Sequence, residues 1–511
     1  MQAIAAARRA WQRARAGALA LDVWMTGWTD CAAPQGSRTA WGLAVLGLAG
    51  AALVFYRLGA AAVCERNEAM EGLFVRRMIE AGEWLFPQVS GQGAMFKPPL
   101  FHWTAVGLAA VLGLRRASEF AVRLPSAIYG LAALALTMGM ARRRLGAHAA
   151  LLAGLILLGS YQFVAAARFG RVDMTLAFCE SLALFAFAAW WTPGDAVPPP
   201  DAATRRRWHY LCALGLGLAV LAKGPVGLVL PLLAMALFVA SERRWRDGLA
   251  LAAPGPVALA LLLATGWYAL CLLSGHYEVL SRQLGSENAG RLFGALGSMP
   301  SWYYVRPILL NSLPLSLLVP FAVAAALRPG ASAAGERALT RLLAYFWVAT
   351  VVVLSLAAYK RRAYLVPLWP ASAVLLAWYL CAYADTTAGQ ARRGAVTAVA
   401  AGLIVFNLLY IPHADIRACA GDAYRRVAVA VTQQVPSSAP LYAYGVAVPP
   451  QLSFYLDRPL LPLTGRIEDA AGWVLMPRSA WPDAGVPGLL PAQALDADLL
   501  LVRPVPADDA G

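Results

Sequence analysis

Charged residues are scarce in this sequence. Only 14% of the 511 residues are Asp, Glu, Lys or Arg, whereas soluble domains carry about 25%. The chain has only five histidines, and no two cysteines have the C-x-x-C spacing of a metal or redox site. These absences argue against a soluble domain, a cysteine-based zinc site and thiol redox chemistry. We interpret the seven scattered cysteines, Cys64 among them, as packing residues.

Apolar residues are correspondingly abundant in the sequence. They make up 60% of the chain, and the mean hydropathy is +0.58. The formal charge of +15 lies in short basic runs between apolar segments, which is typical of loops at a membrane surface and not of a nucleic-acid-binding face. The first 40 residues carry five arginines, four of them between Arg8 and Arg15, and no apolar core directly before a cleavage site. We expect residues 1–40 to be a basic cytoplasmic segment.

The hydropathy pattern predicts an α-helical polytopic membrane protein with about 11 (11 to 13) transmembrane helices. A spanning helix needs about 20 mostly apolar residues. The eleven predicted spans are residues 41–63, 124–141, 145–167, 174–191, 208–222, 224–241, 248–274, 307–327, 342–359, 363–384 and 394–412. The two spans at 208–222 and 224–241 are separated only by Lys223 and therefore predict a tight helical hairpin.

Residues 98–114 decide which loops face the cytoplasm and which face the periplasm. This apolar segment opens with two prolines, and we interpret it as a juxtamembrane or re-entrant segment that does not span the membrane. Leaving it out of the count places the runs at 142–144, 205–207, 243–246 and 392–393 in the cytoplasm, as the positive-inside rule requires. Residues 41–412 then form the transmembrane domain, with a periplasmic first loop at 64–123. Residues 413–511 are richer in polar residues and proline, and strand-like pieces at 440–444, 473–476 and 499–505 predict a small periplasmic α/β domain.

The first predicted loop opens with three acids in seven residues. Glu68 and Glu71 share a helix face with this spacing, and Glu65 and Asn67 lie beside them. Such a cluster is typical of an acid-rich helix start, which complements the helix dipole. It is equally the place for a general base that deprotonates an acceptor hydroxyl. We keep both interpretations.

Cationic turns recur on the predicted outer face. Lys97 precedes two prolines, Lys223 lies between two apolar helices, and Lys360 opens a third cluster that ends at Tyr364. A charge between apolar helices costs free energy unless it faces a cavity or a partner. Three such turns suit a lipid phosphate. Further ionisable candidates near the same face are Arg168, Arg171, Asp173 and, two helical turns deeper, Glu180, whose alternative is an internal ion pair or a protonated carboxyl.

Nine short motifs follow one another in the order of a known family. They are Asn67-Glu68-Ala69, Gly82-Glu83-Trp84, Lys97-Pro98-Pro99-Leu100, the run from Ser118 to Pro125, Ala167-Arg168 with Val172-Asp173-Met174, Lys223-Gly224-Pro225, Trp267-Tyr268, Glu287-Asn288, and Lys360 with Tyr364-Leu365-Val366-Pro367-Leu368. The series resembles the family-39 glycosyltransferases of the GT-C fold, similar to the protein O-mannosyltransferases and the bacterial lipid A aminoarabinose transferase. It covers residues 65 to about 380.

The resemblance implies an inverting sugar transfer from a polyprenyl phosphate on the outer face of the membrane. Acidic residues of the first loop would lie in the active site, and the lysines and arginines would hold the donor phosphate. The residues this implies are Glu68, Asn67 and Asp173 for catalysis, Lys97, Arg168, Lys223, Lys360 and Tyr364 for the phosphate, and Glu65, Glu71, Arg171, Glu180, Glu287 and Asn288 as further site candidates.

Two positions depart from the family pattern. Asn67 stands where the family usually has Asp, and Phe96 stands where a Glu commonly precedes Lys-Pro-Pro. Phe96 has no lone pair for a metal, so we expect no cofactor, although a divalent metal held by other ligands stays open.

We therefore expect a multi-pass glycosyltransferase of the bacterial inner membrane. Its predicted partners are a polyprenyl-phosphate-linked sugar, a lipid A-like or other periplasmic acceptor and membrane lipids, with no nucleic acid. The alternatives are a protein O-mannosyltransferase-like enzyme and a non-enzymatic transporter or flippase of the lipid-linked sugar. A transporter usually shows internal repeats, and we find none in this sequence.

Overall fold

The computed structural model describes residues 35–504, apart from 90–92, 192–200, 311–312, 331–333, 383–386, 419–422, 446–447, 457, 468–469, 482–488 and 497–498. The chain divides into two compact units. The first, called here the helical unit, comprises the described residues up to Tyr56 together with Phe96–Phe101 and Pro125–Ile411. The second, called the mixed unit, comprises Arg57–Met95, His102–Leu124 and the described residues from Pro412 onward.

Helices make up most of the described chain. In the first half they are α1 (Gln35–Phe55), α2 (Arg66–Ala81), α3 (Leu100–Val111), α4 (Glu119–Leu145), α5 (Ala147–Gly159), α6 (Tyr161–Arg168), α7 (Val172–Trp190), α8 (Ala202–Lys223), α9 (Val226–Glu242) and α10 (Trp245–Leu249). In the second half they are α11 (Pro254–Leu273), α12 (Tyr277–Leu280), α13 (Gly290–Phe293), α14 (Val305–Leu310), α15 (Val319–Leu327), α16 (Ala334–Leu356), α17 (Leu368–Ala382), α18 (Thr387–Ala418), α19 (Ala423–Gln434) and α20 (Pro450–Tyr455).

Shorter elements connect these helices. A stretch of π-helix, Ser281–Ala289, joins α12 to α13, and 3₁₀ turns lie at Ala250–Ala252, Ser301–Tyr304, Leu315–Leu318, Arg362–Leu365 and Arg478–Ala480. The strands are β1 (Gln88–Val89), β2 (Gly93–Ala94), β3 (Leu441–Ala443), β4 (Leu460–Pro462), β5 (Trp473–Pro477), β6 (Leu489–Asp496) and β7 (Leu499–Pro504).

Five helices in the described chain are long and apolar enough to cross a membrane, which supports the predicted helical polytopic class. They are α4, α7 and α11 together with Glu336–Leu356 of α16 and Gly394–Arg417 of α18. The pair α5 and α6 makes a sixth if it is taken as one bent span. Shorter apolar helices include Thr39–Phe55 of α1, α3, α9 and α17. The predicted number of eleven spans stays a prediction.

The structure differs from the predicted spans at two places. The predicted span 145–167 is not one straight helix, because α5 and α6 meet at Ser160 with a bend of 68°. The predicted span 307–327 consists of α14, the 3₁₀ turn at Leu315–Leu318 and α15, separate pieces in a segment that contains Pro307, Pro314 and Pro320. Proline removes a backbone donor and clashes with the preceding turn, so it interrupts a helix. Lys223 ends α8, and only Gly224 and Pro225 separate it from α9, as the predicted hairpin requires.

Helix α7 is the buried centre of the helical unit. Most of its residues are buried, because it is apolar on every face and packs against several other helices. Its closest neighbour is α8, where Gly215 allows the approach. A Cβ at Gly215 would lie 2.6 Å from the backbone nitrogen of Ala183. This packing fixes the N-terminal end of α7 beside the C-terminal end of α8, and those ends carry Asp173 and Lys223.

The mixed unit contains a five-stranded sheet with the order β4-β3-β5-β7-β6. Strand β3 is parallel to β4 and β5, and β7 is antiparallel to β5 and β6. Strands β3, β5 and β7 lie in the three pieces that the sequence predicts. The same unit includes α2, whose Arg76 donates hydrogen bonds to the carbonyls of Ser453 (3.3 Å) and Leu456 (3.2 Å). The sequence does not predict this association of residues 57–95 with the C-terminal segment.

One cysteine differs from our interpretation. Cys64 is disulfide-bonded, so its assignment as a packing residue is wrong. Spacing alone does not show a disulfide, because the pairing of cysteines depends on the fold. Cys179, Cys212 and Cys271 are buried thiols, as a packing role requires.

Candidate active site

The candidate site begins with a three-residue ion cluster in the helical unit. Asp173 lies in the first turn of α7, and Lys223 is the last residue of α8. The Lys223 ammonium donates to Oδ1 of Asp173 at 2.5 Å, and Nε of Arg171 lies 3.2 Å from Oδ2. Asp173 is 5% exposed. A carboxylate at a helix N-terminus complements the helix dipole, and here each of its oxygens also meets a cation.

The turn after Lys223 needs its glycine. Gly224 has φ +98°, and a Cβ there would lie 2.5 Å from Nε2 of Gln283. The amide of Gln283 donates to the Lys223 carbonyl at 3.3 Å. The Lys-Gly-Pro motif therefore brings the α8–α9 hairpin into close contact with the π-helical stretch Ser281–Ala289. This is a position where no side chain fits.

A second polar group follows that π-helical stretch. Arg291 donates from Nη1 to the hydroxyl of Tyr364 at 2.5 Å and also pairs with Glu287. The Lys223 ammonium lies 4.6 Å from the centre of the Tyr364 ring. Tyr364 thus links the Arg291 guanidinium to the Lys223–Asp173 pair, and it joins residues 223, 291 and 364 into one constellation.

A cavity of about 430 Å³ lies beside these groups in the helical unit. Its polar lining residues are Lys97, Lys223, Gln283, Glu287, Asn288, Arg291, Tyr359 and Tyr364. Its remaining lining residues are Leu176, Pro225, Val226, Val229, Leu230, Leu284, Ala289, Leu292, Phe293, Val353, Leu354, Ala357 and Pro367. Among the described lining residues, three cations and one carboxylate leave a positive excess in a cavity whose wall is otherwise largely apolar. Such a cavity can hold an anion that carries a long apolar chain.

Phe96 changes the surroundings of Lys97. The Lys97 ammonium lies 5.8 Å from the centre of the Phe96 ring, and the guanidinium of Arg282 lies 4.2 Å from the same ring. Lys97 is also close enough for its charge to act on Asp173. Phe96 therefore makes a cation–π contact with Arg282 and offers no carboxylate to Lys97.

Other predicted site residues have structural contacts in the helical unit. The Lys360 ammonium is 2% exposed and donates to the carbonyls of Met299 (3.0 Å) and Ala357 (2.5 Å). Arg168 donates to three carbonyls at the C-terminal end of α1, at distances of 2.9 to 3.1 Å. Neither residue is among the described residues that line the cavity. Their predicted roles at the donor phosphate remain predictions.

The acidic cluster of the first loop lies in the mixed unit. Glu68 is fully buried, and Nε and Nη2 of Arg123 donate to its two carboxylate oxygens at 2.8 and 3.0 Å. Glu71 is likewise buried, and its Oε2 lies 2.7 Å from Nε2 of His102. Asn67 donates to Glu65 at 3.4 Å. These two parallel hydrogen bonds from Arg123 are typical of a structural ion pair. The predicted role of Glu68 as a general base remains a prediction.

Arg291 and Gln283 are the site residues that sequence reasoning missed. Arg291 follows Glu287 by four residues, which is the spacing of an ion pair on one helix face. That spacing gives a signal but does not distinguish a solvated pair from one that lines a cavity. Among the described residues, no group of three or more His, Cys, Asp or Glu side chains is placed to hold a metal ion.

Comparison with known proteins agrees with this geometry. A family model described as dolichyl-phosphate-mannose-protein mannosyltransferase matches residues 96–268. The ArnT structure from Cupriavidus metallidurans bound to undecaprenyl phosphate superimposes with a TM-score of 0.75 at 22% identity, and the match covers 92% of this chain and 99% of that one. The chain is similar to the GT-C glycosyltransferases. The predicted resemblance is thus confirmed, and the fold is of the GT-C type.

Two curated relatives show how far the sequence similarity extends. An undecaprenyl phosphate-alpha-4-amino-4-deoxy-L-arabinose arabinosyl transferase from Edwardsiella ictaluri is 26% identical over 311 residues, which are 60% of this chain and 53% of the relative. A protein from Aquifex aeolicus is 29% identical over 329 residues, 64% of this chain and 62% of the relative. The chain thus spans about half to three fifths of the length of these two relatives.

Proposed function

We propose that this chain is a glycosyltransferase that moves a sugar from a polyprenyl-phosphate donor to a lipid A-like or other lipid acceptor. The observation that carries the proposal is the cavity of about 430 Å³ with Lys97, Lys223 and Arg291 in an otherwise largely apolar wall. A phosphate with an isoprenoid chain has the matching division of charge and apolar surface. The undecaprenyl phosphate in the similar ArnT structure supports this choice of donor class.

The donor phosphate would meet three cations and one phenol. Arg291 offers a planar fork, whereas Lys97 and Lys223 act as point charges. The hydroxyl of Tyr364 accepts from Arg291, so its own proton is available to a phosphate oxygen. Glu287 forms an ion pair with Nη2 of the same guanidinium. The apolar wall, which includes Val229, would contact the isoprenoid chain.

The chemistry requires charge stabilisation on the leaving group. The bond between the sugar's anomeric carbon and the phosphate oxygen breaks as the acceptor oxygen bonds to that carbon, and a hydroxyl acceptor also releases a proton. The polyprenyl phosphate leaves with one more negative charge than it had in the donor, and preorganised cations favour that change. Asp173, which bonds both Lys223 and Arg171, orients these cations in our proposal. A hydroxyl acceptor releases its proton to water, whereas an ionised phosphate acceptor has none to release.

We assign the protein to the bacterial inner membrane, with the cavity opening toward the periplasmic side. The apolar helices support the membrane location. The disulfide at Cys64 supports an oxidising compartment for the segment after α1, because the cytoplasm keeps thiols reduced. The basic N-terminal segment is then cytoplasmic and the C-terminal domain periplasmic.

A transfer assay tests the proposal. Purified protein in proteoliposomes is incubated with polyprenyl-phosphate sugars labelled in the sugar and with lipid A-like acceptors. We expect label in the acceptor and an equal amount of free polyprenyl phosphate. Movement of the intact donor across the bilayer without release of carrier lipid would instead identify a flippase. Transfer to a protein acceptor alone would identify an O-mannosyltransferase-like enzyme.

A further inference from the structure

Arg282 is a cation beside the cavity that the proposed donor site does not use. It is exposed, and it lies in the π-helical stretch Ser281–Ala289, where its neighbours Gln283 and Leu284 line the cavity. Arg282 itself is not among the described residues of the cavity wall. No carboxylate of the described chain forms an ion pair with it. Its positive charge therefore lies next to the cavity and is open to an external anion.

The ring of Phe96 restrains the Arg282 guanidinium. The guanidinium carbon lies 4.2 Å from the centre of the ring. An exposed arginine without such a contact samples many rotamers, and ordering it costs conformational entropy. The cation–π contact limits that freedom and leaves N–H donors of the guanidinium available to an anion. Phe96 therefore preorganises Arg282 without neutralising it.

The same ring relates Arg282 to the donor site. The Lys97 ammonium, which lines the cavity, lies 5.8 Å from the ring centre. The two cationic groups therefore cannot be farther apart than these two distances laid end to end. An acceptor atom has to come within about 3 to 3.5 Å of the sugar carbon before it reacts. A group that recognises the acceptor must lie close to the donor site, and Arg282 meets this condition.

We propose that Arg282, oriented by Phe96, binds an anionic group on the lipid acceptor. The inference rests on the proposed function and adds a second anion site to it. Inside the cavity, Lys97, Lys223 and Arg291 would already meet the donor phosphate. An anion at Arg282, outside the described cavity wall, then belongs to the second substrate. The guanidinium offers a phosphate or carboxylate a planar fork, which fixes the direction of the anion as well as its position.

The residue at position 96 matters for this site. A carboxylate there, as is common in the family, would attract the guanidinium of Arg282 and compete with the acceptor's anion. The phenyl ring orders the same guanidinium and carries no charge. The departure at Phe96 and the uncompensated charge of Arg282 therefore have one explanation.

The test measures acceptor binding to the full-length protein in detergent micelles. The protein is first saturated with polyprenyl phosphate, so that the donor site is occupied. A fluorescent lipid A-like acceptor is then titrated in two forms, one with its phosphate groups and one from which they have been removed. The variants are Arg282→Gln and Phe96→Leu, alone and combined. The matched control is Arg206→Gln, because Arg206 is exposed and lies near the N-terminal end of α8, whereas Lys223 ends that helix.

We expect the wild type and Arg206→Gln to bind the phosphorylated acceptor about tenfold more tightly than the dephosphorylated form, the scale of one charge-assisted hydrogen bond. Arg282→Gln should bind both forms equally. Phe96→Leu should lower the preference about two- to fivefold, the range for an exposed cation–π contact. It should have no further effect in the Arg282→Gln background, because the ring acts through the guanidinium. The Kd for polyprenyl phosphate should stay within about twofold of the wild type in every variant.

The outcomes separate this inference from the proposed function. A phosphate preference that survives in Arg282→Gln, or that is absent from the wild type, overturns the inference and leaves the proposed function intact. A weaker affinity of Arg282→Gln for polyprenyl phosphate, at an unchanged thermal midpoint, would assign Arg282 to the donor site and also overturn the inference. Failure of the wild type to transfer labelled sugar to any lipid acceptor overturns the proposed function and this inference with it.

Discussion

Lys223 gives the sharpest test of the proposal that the cavity holds a phosphate. Its ammonium lines the cavity, bonds Asp173 at 2.5 Å and is 16% exposed, so an anion in the cavity can reach it. Lys223→Met keeps the length of the chain and removes the charge. One lost charge-assisted hydrogen bond costs about 1.5 to 3 kcal/mol. The dissociation constant for polyprenyl phosphate should therefore rise about 10- to 150-fold.

Lys360 is the matched control. From the sequence alone we expect both lysines to bind the donor, but in the structure Lys360 donates to the carbonyls of Met299 and Ala357. Lys360→Met should therefore lower the free energy of unfolding and leave the dissociation constant within about twofold of the wild type. Fluorescence titration in nanodiscs measures binding, and thermal unfolding measures stability. Unchanged affinity in Lys223→Met, or an equal loss in both variants, would refute the reasoning.

Three further predictions follow from the described contacts. Glu68→Gln should lower the free energy of unfolding by about 3 to 5 kcal/mol, because Arg123 would lose its buried counter-charge; a thermal midpoint equal to that of the Glu65→Gln control would show that the pair is weak. In a background without other reactive thiols, an impermeant reagent should label Arg116→Cys on intact cells but reach Arg143→Cys only after permeabilisation, and the opposite pattern would reverse the proposed orientation. Transfer should continue at its full rate in excess chelator, because Phe96 offers no metal ligand; a loss that zinc, magnesium or manganese restores would show that other residues bind a metal.

The sequence predicts most of the elements that position the site. The short interval between the apolar runs around Lys223 predicts the α8–α9 hairpin, because one charge and a Gly-Pro pair suffice to end a helix and start another. Short, mostly apolar runs between proline-rich and polar stretches predict strands β3, β5 and β7. The depth of Glu180 follows from helical periodicity and its distance from Asp173.

What the sequence does not give is the choice of partner for each charged side chain. Lys223 and Lys360 both follow apolar runs, yet one lines a cavity and the other bonds backbone carbonyls. That difference depends on tertiary contacts distant in sequence, such as the carbonyl of Met299. In the same way, the motif around Glu68 predicts a general base, and only the folded chain shows Arg123 bonded to both of its oxygens.

The central claim is that the cavity lined by Lys223 and Arg291 holds a polyprenyl phosphate. A photoreactive polyprenyl phosphate, cross-linked to the purified protein in nanodiscs and mapped by mass spectrometry, tests it most directly. We predict labelling of peptides that contain the cavity wall at Val226 to Leu230 or at Leu292 and Phe293, suppressed by unlabelled polyprenyl phosphate and reduced in Lys223→Met. Labelling confined to other helices, or labelling that the unlabelled lipid does not suppress, would contradict the claim.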